Sequence, residues 1–351
     1  MQVKAAVLGH FGEGTKLLNG QTVKTKNITE KLQEKLGQDQ VLKIDTHGGW
    51  KTLLKAPFQV FYSLKNSTNV LIFPAQNGLR IYAPLLSFQR LFFKKRKIHY
   101  VVIGGWLPEF LKKRKMLARQ LKHFDCIYVE TNTMKEALNA QGFKNVTVMP
   151  NCKKLTVLSE DELVYPQSAP YKLCTFSRVM KEKGIEDAVQ AVMEVNVDLG
   201  YQAFSLDIYG QIDSEQTDWF ENLQKKFPVY IRYGGVVPFD KSVEMLKEYF
   251  ALLFPTYYEG EGFAGTLIDA FSAGIPVIAS DWKYNTEIVN ENVGYIYKTG
   301  VQSELTELLK STASNPTMLL NMKKSCLHEA EKYKIDMTIK VLLNQIEGDC
   351  R

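Results

Sequence analysis

Cysteine is scarce in this chain of 351 residues: Cys126, Cys152, Cys174, Cys326 and Cys350 are odd in number and scattered, without metal-ligand or redox spacing. That pattern argues against a disulfide-stapled scaffold, a zinc ribbon and a thioredoxin-like centre, and a reduced, cytoplasmic setting is the expectation. Long apolar runs are missing too. Nothing approaches the ~20 consecutive apolar residues that a bilayer-spanning helix needs. The opening Val3-Lys4-Ala5-Ala6-Val7-Leu8-Gly9 is too short for the core of a secretory leader and ends in a glycine-rich loop. That loop lacks the dinucleotide G-x-G-x-x-G, because Gly9, Gly12 and Gly14 have other spacings. The sequence holds no Asp-x-Asp pair. No recognised nucleic-acid motif accompanies its basic residues, so no nucleic-acid partner is expected.

Acids are sparse in the first half. Residues 1–170 hold 26 Lys+Arg against 12 Asp+Glu, and the remainder 18 against 26, so a net charge of +6 hides two halves of opposite sign. Much of the basic excess lies in Arg90-Leu91-Phe92-Phe93-Lys94-Lys95-Arg96-Lys97 and in Trp106-Leu107-Pro108-Glu109-Phe110-Leu111-Lys112-Lys113-Arg114-Lys115. Such runs are most often solvated helix faces. Mixed with Phe, Leu and Trp, they also suit peripheral contact with an anionic membrane at its inner face.

Apolar runs alternate with helical stretches along the chain, the pattern of α/β parallel sheets with crossover helices. The spacing predicts strands at Val3–Gly9, Val41–Asp45, Val70–Pro74, His99–Ile103, Cys126–Glu130 and Val146–Met149 in the first half. In the second half it predicts Lys172–Phe176, Ser205–Tyr209, Val229–Tyr233, Ala251–Phe254, Pro276–Ala279 and Gly294–Tyr297. Helices are expected at Thr22–Leu36 and Thr133–Ala140, and a last amphipathic one at Tyr333–Glu347. The stretch Asn151–Pro170, with Glu160-Asp161-Glu162 and two prolines, reads as an interdomain linker.

The most informative segment runs from Glu259 to Ser280: strand end, glycine-rich turn, helix, tight turn and second strand. Its helix N-terminus carries unpaired N–H groups and a partial positive charge, which favours an anion. Glu261 and Asp269 flank it eight residues apart. Amides for an anion and carboxylates for hydroxyls suit a ligand that combines phosphate with sugar. A bare pair of acids would more simply cap the helix or face solvent.

The flanks make the pattern specific. Glu261 and Asp269 resemble the E-x7-E element of the family-4 retaining glycosyltransferases, with Asp replacing the second Glu. Phe254-Pro255-Thr256 is similar to that family's F-P-S, and Ala273-Gly274-Ile275-Pro276-Val277-Ile278-Ala279-Ser280 to its A-x-G-x-P-V-I-A-S. Glu259 has Leu267 eight residues on, so Glu261 is the better first acid. Upstream, Arg178 is followed five residues later by Lys183-Gly184, as in the family's grip on the donor diphosphate.

The resemblance implies a GT-B architecture: two Rossmann-like domains with parallel sheets facing a central cleft. Residues 1–155 would be the acceptor-side domain, 156–170 the linker, and 171–332 the nucleotide-sugar domain. Residues 333–351 would hold a helix that packs back on the first domain. Implied roles are Glu261 on the donor sugar, Arg178 and Lys183 on the departing diphosphate, and Asp269 on the ribose. Gly262, Phe263, Ala264, Gly265 and Thr266 would supply donor contacts. Gly12 and Gly14 resemble the family's N-terminal glycine-rich loop, which faces donor phosphate and acceptor. Many members carry a His after a mid-domain strand; the corresponding Val102-Ile103-Gly104-Gly105-Trp106 has none. His99 reads as structural; His10, in the first loop, is placed to face the cleft, although a lone loop His is more often exposed and idle.

Without Asp-x-Asp, cations and helix amides replace the metal that other glycosyltransferases hold, so metal-independent transfer without a cofactor is expected. The implied activity is retaining transfer of a hexose, from a nucleotide-sugar with UDP favoured, to a lipid-linked or oligosaccharide acceptor in surface-polysaccharide assembly. The rivals are another GT-B nucleotide-sugar enzyme such as an epimerase, a dehydrogenase, and a non-catalytic nucleotide-sugar sensor or scaffold.

Overall fold

A computed structural model describes residues 2–12, 20–48, 50–154 and 156–348. It divides into two compact units, Met1–Lys154 with Tyr333–Arg351, and Leu155–Lys332. Each is built on one six-stranded sheet whose strand pairs are all parallel.

The first sheet contains β1 (Val3–Gly9), β2 (Val41–Asp45), β3 (Ser67–Ile72), β4 (Lys97–Val101), β5 (Cys126–Val129) and β6 (Val146–Val148), in the order β2-β1-β3-β4-β5-β6. Five helices matter below: α1 (Gly20–Leu36), α2 (Trp50–Asn66), α3 (Gln76–Gln89), α4 (Leu107–Lys112) and α5 (Lys115–Leu121). Parallel strands with helical crossovers bury both sheet faces, so β1 beyond Lys4 and the whole of β5 read as unbroken apolar runs rather than alternations. Third strand β3 begins three residues before the apolar signal, because Ser67 and Asn69 are polar yet buried. Ser67 donates to the Ser63 carbonyl at 2.8 Å, and Asn69 accepts from His99 Nε2 at 3.0 Å.

The last helix, Ile335–Glu347, belongs to this first unit. Ile335, Ile339, Leu342 and Ile346 repeat at helical spacing and are buried in the same core as Ile28 and Leu32 of α1. Each such side chain contributes roughly 1.5–3 kcal/mol relative to exposure. Lys31 on α1 pairs with Asp336 at 2.6 Å and fixes the helix's entry.

The second sheet contains β7 (Tyr171–Phe176), β8 (Phe204–Tyr209), β9 (Ile231–Gly235), β10 (Ala251–Phe254), β11 (Val277–Ser280) and β12 (Gly294–Tyr297), ordered β12-β11-β10-β7-β8-β9. Its core includes Leu173, Val192, Phe204, Leu206 and Phe250, with Tyr171 stacked on Phe250 at 4.6 Å. The stretch that reads as a linker folds onto this unit instead. The Leu158 N–H donates to the Ser272 carbonyl, Ser159 and Glu162 form a capping box, and Leu163 is buried. Apolar Leu158 and Leu163 anchor what its prolines and acids suggest is loose.

Candidate functional site

In an open parallel sheet, ligands bind outside the carboxyl ends of the strands, where loops and helix N-termini converge. In the second unit two such loops, after β7 and after β10, close on each other. Gly184 makes this possible. Its φ is +68°, and a Cβ there would lie 2.1 Å from the Pro255 carbonyl oxygen, so any side chain would push the loops apart. The 3-10 turn Lys181–Lys183 therefore rests on Pro255–Thr256, with the Tyr257 N–H donating to the Glu182 carbonyl at 2.8 Å.

This approach delivers Lys183 to Glu261. Lys183 Nζ donates to Glu261 Oε2 at 2.5 Å, and the Thr256 hydroxyl donates to the same oxygen at 2.8 Å. The two side chains are 11% and 8% exposed, so the pair lies largely out of water, where a charge-assisted bond is strongest. The Lys183 ammonium also lies 5.1 Å from the Tyr258 ring centre and 5.7 Å from that of Phe254. Glu259 differs: it is exposed and pairs with Lys283 at 2.8 Å.

Past Glu261 the chain enters the helix Gly265–Ser272 through Gly262, Phe263 and Ala264. Ala264 is the N-cap and offers no side-chain cap. Gly262, Phe263 and Thr266 are buried, Ala264 and Gly265 half-buried. The Thr266 hydroxyl has no hydrogen-bond partner although the residue is only 9% exposed. A buried hydroxyl left unpaired costs on the order of 1–3 kcal/mol, which a bound acceptor atom would recover. Gly260, Gly262 and Gly265 do fall at the G-x-G-x-x-G spacing. They follow β10, the fourth strand of this unit, rather than its first strand–helix turn, and so do not restore a dinucleotide site.

Arg178 stands apart from the pair. It is half-exposed and its guanidinium meets Asp213 Oδ2 at 3.3 Å. Gly210 fixes the turn beneath it: with φ +137°, a Cβ there would meet the Ser177 carbonyl oxygen at 1.7 Å. Asp269 is 1% exposed, and its Oδ1 accepts the Ser242 hydroxyl at 3.2 Å.

In the first unit Gly12 is buried with φ +61°, while Gly14 lies outside the described residues. The carboxyl ends of β1 and β2 hold a cluster that sequence reasoning missed. His47 Nδ1 and His10 Nε2 are 2.7 Å apart, and His10 Nδ1 lies 2.8 Å from the Thr22 hydroxyl. Asp45 accepts the backbone N–H groups of Phe11 and His47 at 2.9 and 2.8 Å. Burial, then the neighbouring His47, holds His10 below the usual imidazole range, with Asp45 opposing. Its signal is a His just past each of two strand ends, but β2 must be known to lie beside β1 to read it. Deeper in, Lys24 and Glu130 form a buried pair at 2.5 Å. His99 is buried between Tyr128 and Asn69. At the Gly104–Trp106 turn the indole N–H donates to the Ile103 carbonyl at 2.8 Å.

Residues 165–330 match the family model described as glycosyl transferases group 1. That match covers 166 of the 351 residues and nearly the whole second unit. Over 166 residues the chain is 29% identical to the UDP-N-acetylglucosamine–peptide N-acetylglucosaminyltransferase GtfA subunit of Streptococcus gordonii, an alignment covering 46% of this chain and 31% of that protein. The chain thus spans about a third of that relative's length. Its fold is that of the lipopolysaccharide outer core galactosyltransferase WaaB, at a TM-score of 0.72 and 15% identity over 97% of this chain and 98% of that one. Anabaena Alr3699/HepE, solved with UDP and glucose, aligns at a TM-score of 0.73 and 12% identity over 98% and 99%. Both units together therefore have the GT-B fold, and no helix among the described residues is long and apolar enough to cross a membrane.

Proposed function

We propose that the chain is a retaining, metal-independent hexosyltransferase of family 4 that uses a UDP-sugar and a hydroxyl acceptor. The observation that carries this reading is the buried Lys183–Glu261 pair beside an uncapped helix N-terminus with an unpartnered Thr266 hydroxyl. As the glycosidic bond breaks, negative charge grows on the diphosphate. Lys183, Arg178 and the amides around Gly265 are donors preorganised for that charge, each typically worth ~10²–10³ in rate. Glu261 engages the donor sugar, and Asp269 exchanges the Ser242 hydroxyl for those of the ribose. The departing phosphate oxygen takes the acceptor's proton on the face it leaves, so no side-chain nucleophile is required.

Uridine is favoured because GtfA is named for a UDP-sugar and HepE binds UDP. The acceptor in this reading is a lipid-linked or oligosaccharide hydroxyl in surface-polysaccharide assembly, on the cytoplasmic side. Thermal unfolding with UDP, GDP, ADP, CMP and NAD tests the donor site. A ligand at 100 times its dissociation constant adds ~2.7 kcal/mol, and the shift with UDP should survive EDTA. A shift with NAD alone, or one with UDP abolished by EDTA and restored by magnesium, would contradict the proposal.

A further inference from the structure

Part of the first unit's surface is apolar where a soluble surface would be polar. On α2, Ala56, Val60, Ser63 and Leu64 face the core and are fully buried. A second stripe, Leu54, Phe58, Phe61 and Tyr62, repeats at helical spacing and is exposed, Phe58 by 78%. The 3-10 turn Arg90–Phe92, which ends α3, continues it with Leu91 and Phe92, the latter 73% exposed. Phe61 meets Phe93 edge to face at 5.6 Å, and Gln89 donates to the Pro57 carbonyl at 3.0 Å, so α2, α3 and the turn form one surface. Exposed Met116 on α5 extends it across a hollow shared with Arg80, Pro84 and Arg114.

The stretch of chain that carries this surface is strongly basic. Residues 46–124 contain 15 Lys+Arg and one acid, Glu109, which is itself paired with Lys112 at 2.5 Å. Two further hollows have basic walls. Arg90, Lys94 and His123 line one of about 560 Å³; Lys112, Lys115, Arg119 and Lys122 line the other, of about 510 Å³.

We propose that this face docks on an anionic lipid bilayer. Phe58, Phe61, Leu91 and Phe92 enter the headgroup–acyl boundary, and the basic hollows receive lipid phosphates. The combination decides the occupant. Apolar patches of this kind are interaction sites, and an excess of one charge calls for a partner of the other. A nucleic acid would match the charge, but Leu54, Leu91 and Met116 cannot stack on bases. The inference stands whether or not the chain transfers a sugar.

Co-sedimentation of the full chain with vesicles tests it, using phosphatidylcholine alone and equal parts phosphatidylcholine and phosphatidylglycerol. Binding should be strong only on the anionic vesicles and fall with added salt. Lys94→Gln with Lys95→Gln should weaken it roughly 25-fold, each basic residue near an anionic surface being worth roughly fivefold. Phe58→Ser with Phe92→Ser removes two of the four anchoring side chains and should weaken it by at least about tenfold, with thermal unfolding unchanged. Equal binding to both vesicle types, or tighter binding to DNA than to anionic vesicles, would overturn the proposal. So would a dimer that the Phe variant disperses while its vesicle binding stays intact.

Discussion

Replacing Lys183 by Met should leave Glu261 as a buried carboxylate held by one hydroxyl, that of Thr256. Breaking a buried ion pair from one side typically costs about 3–5 kcal/mol. Because Lys183 and Glu261 keep 11% and 8% of their side-chain exposure, the lower end applies, about 3 kcal/mol. For a unit of this size each kcal/mol moves the melting temperature by about 2–4 °C, so thermal unfolding should fall by roughly 6–12 °C. The double variant Lys183→Met with Glu261→Gln removes the orphaned charge as well and should recover most of that loss. Transfer should not recover with it, staying ~10²–10³ below the parent, since under the proposed roles the double variant lacks both the cation for the leaving group and the carboxylate for the donor sugar. That split separates a chemical role from a structural one. A single variant that melts within about 1 °C of the parent would show that water already screens the pair, and the reasoning would fail.

Thr266→Val should not destabilise, since it removes a buried hydroxyl that has no partner, yet it should weaken UDP binding in calorimetry. Arg178→Ala should leave stability within about 0.5 kcal/mol, its side chain being half-exposed, while turnover falls on the order of 10²-fold; unchanged turnover would refute its role. Burial pushes His99 down to about 4, and it accepts from Tyr128 while donating to Asn69, so the folded state holds it neutral. Above its ordinary value of 6.5 both states are neutral and no penalty arises. As pH falls toward 4 only the unfolded chain takes the proton, so stability should drop by up to about 3 kcal/mol. Denaturant titrations across that range should show the drop, and His99→Gln should flatten it.

The twelve strands are legible because most of them, covered on both faces, leave largely apolar runs; β9 is weaker, with only Ile231 buried, and begins two residues past the expected Val229, which is fully exposed. Where a boundary slips, as at Ser67 and Asn69, buried polar groups are satisfied by partners distant in sequence. The same limit applies at the site. Lys183 and Glu261 are each legible in a motif, but their contact depends on Gly184 lying against Pro255, which spacing does not reveal. The Thr256 hydroxyl and the His10–His47 pair are hidden for the same reason. Helical periodicity identifies the stripes of α2 without saying which one faces water, so the basic runs are visible and Phe58 is not.

The central claim is retaining transfer from a UDP-sugar. Proton NMR of UDP-α-glucose and UDP-α-N-acetylglucosamine incubated with the chain in EDTA tests it most directly, by following the anomeric signal first formed as UDP appears. Release of the α-configured sugar, to water or to an added acceptor, is the predicted result. Initial β product, or a new epimer still attached to UDP, would contradict it.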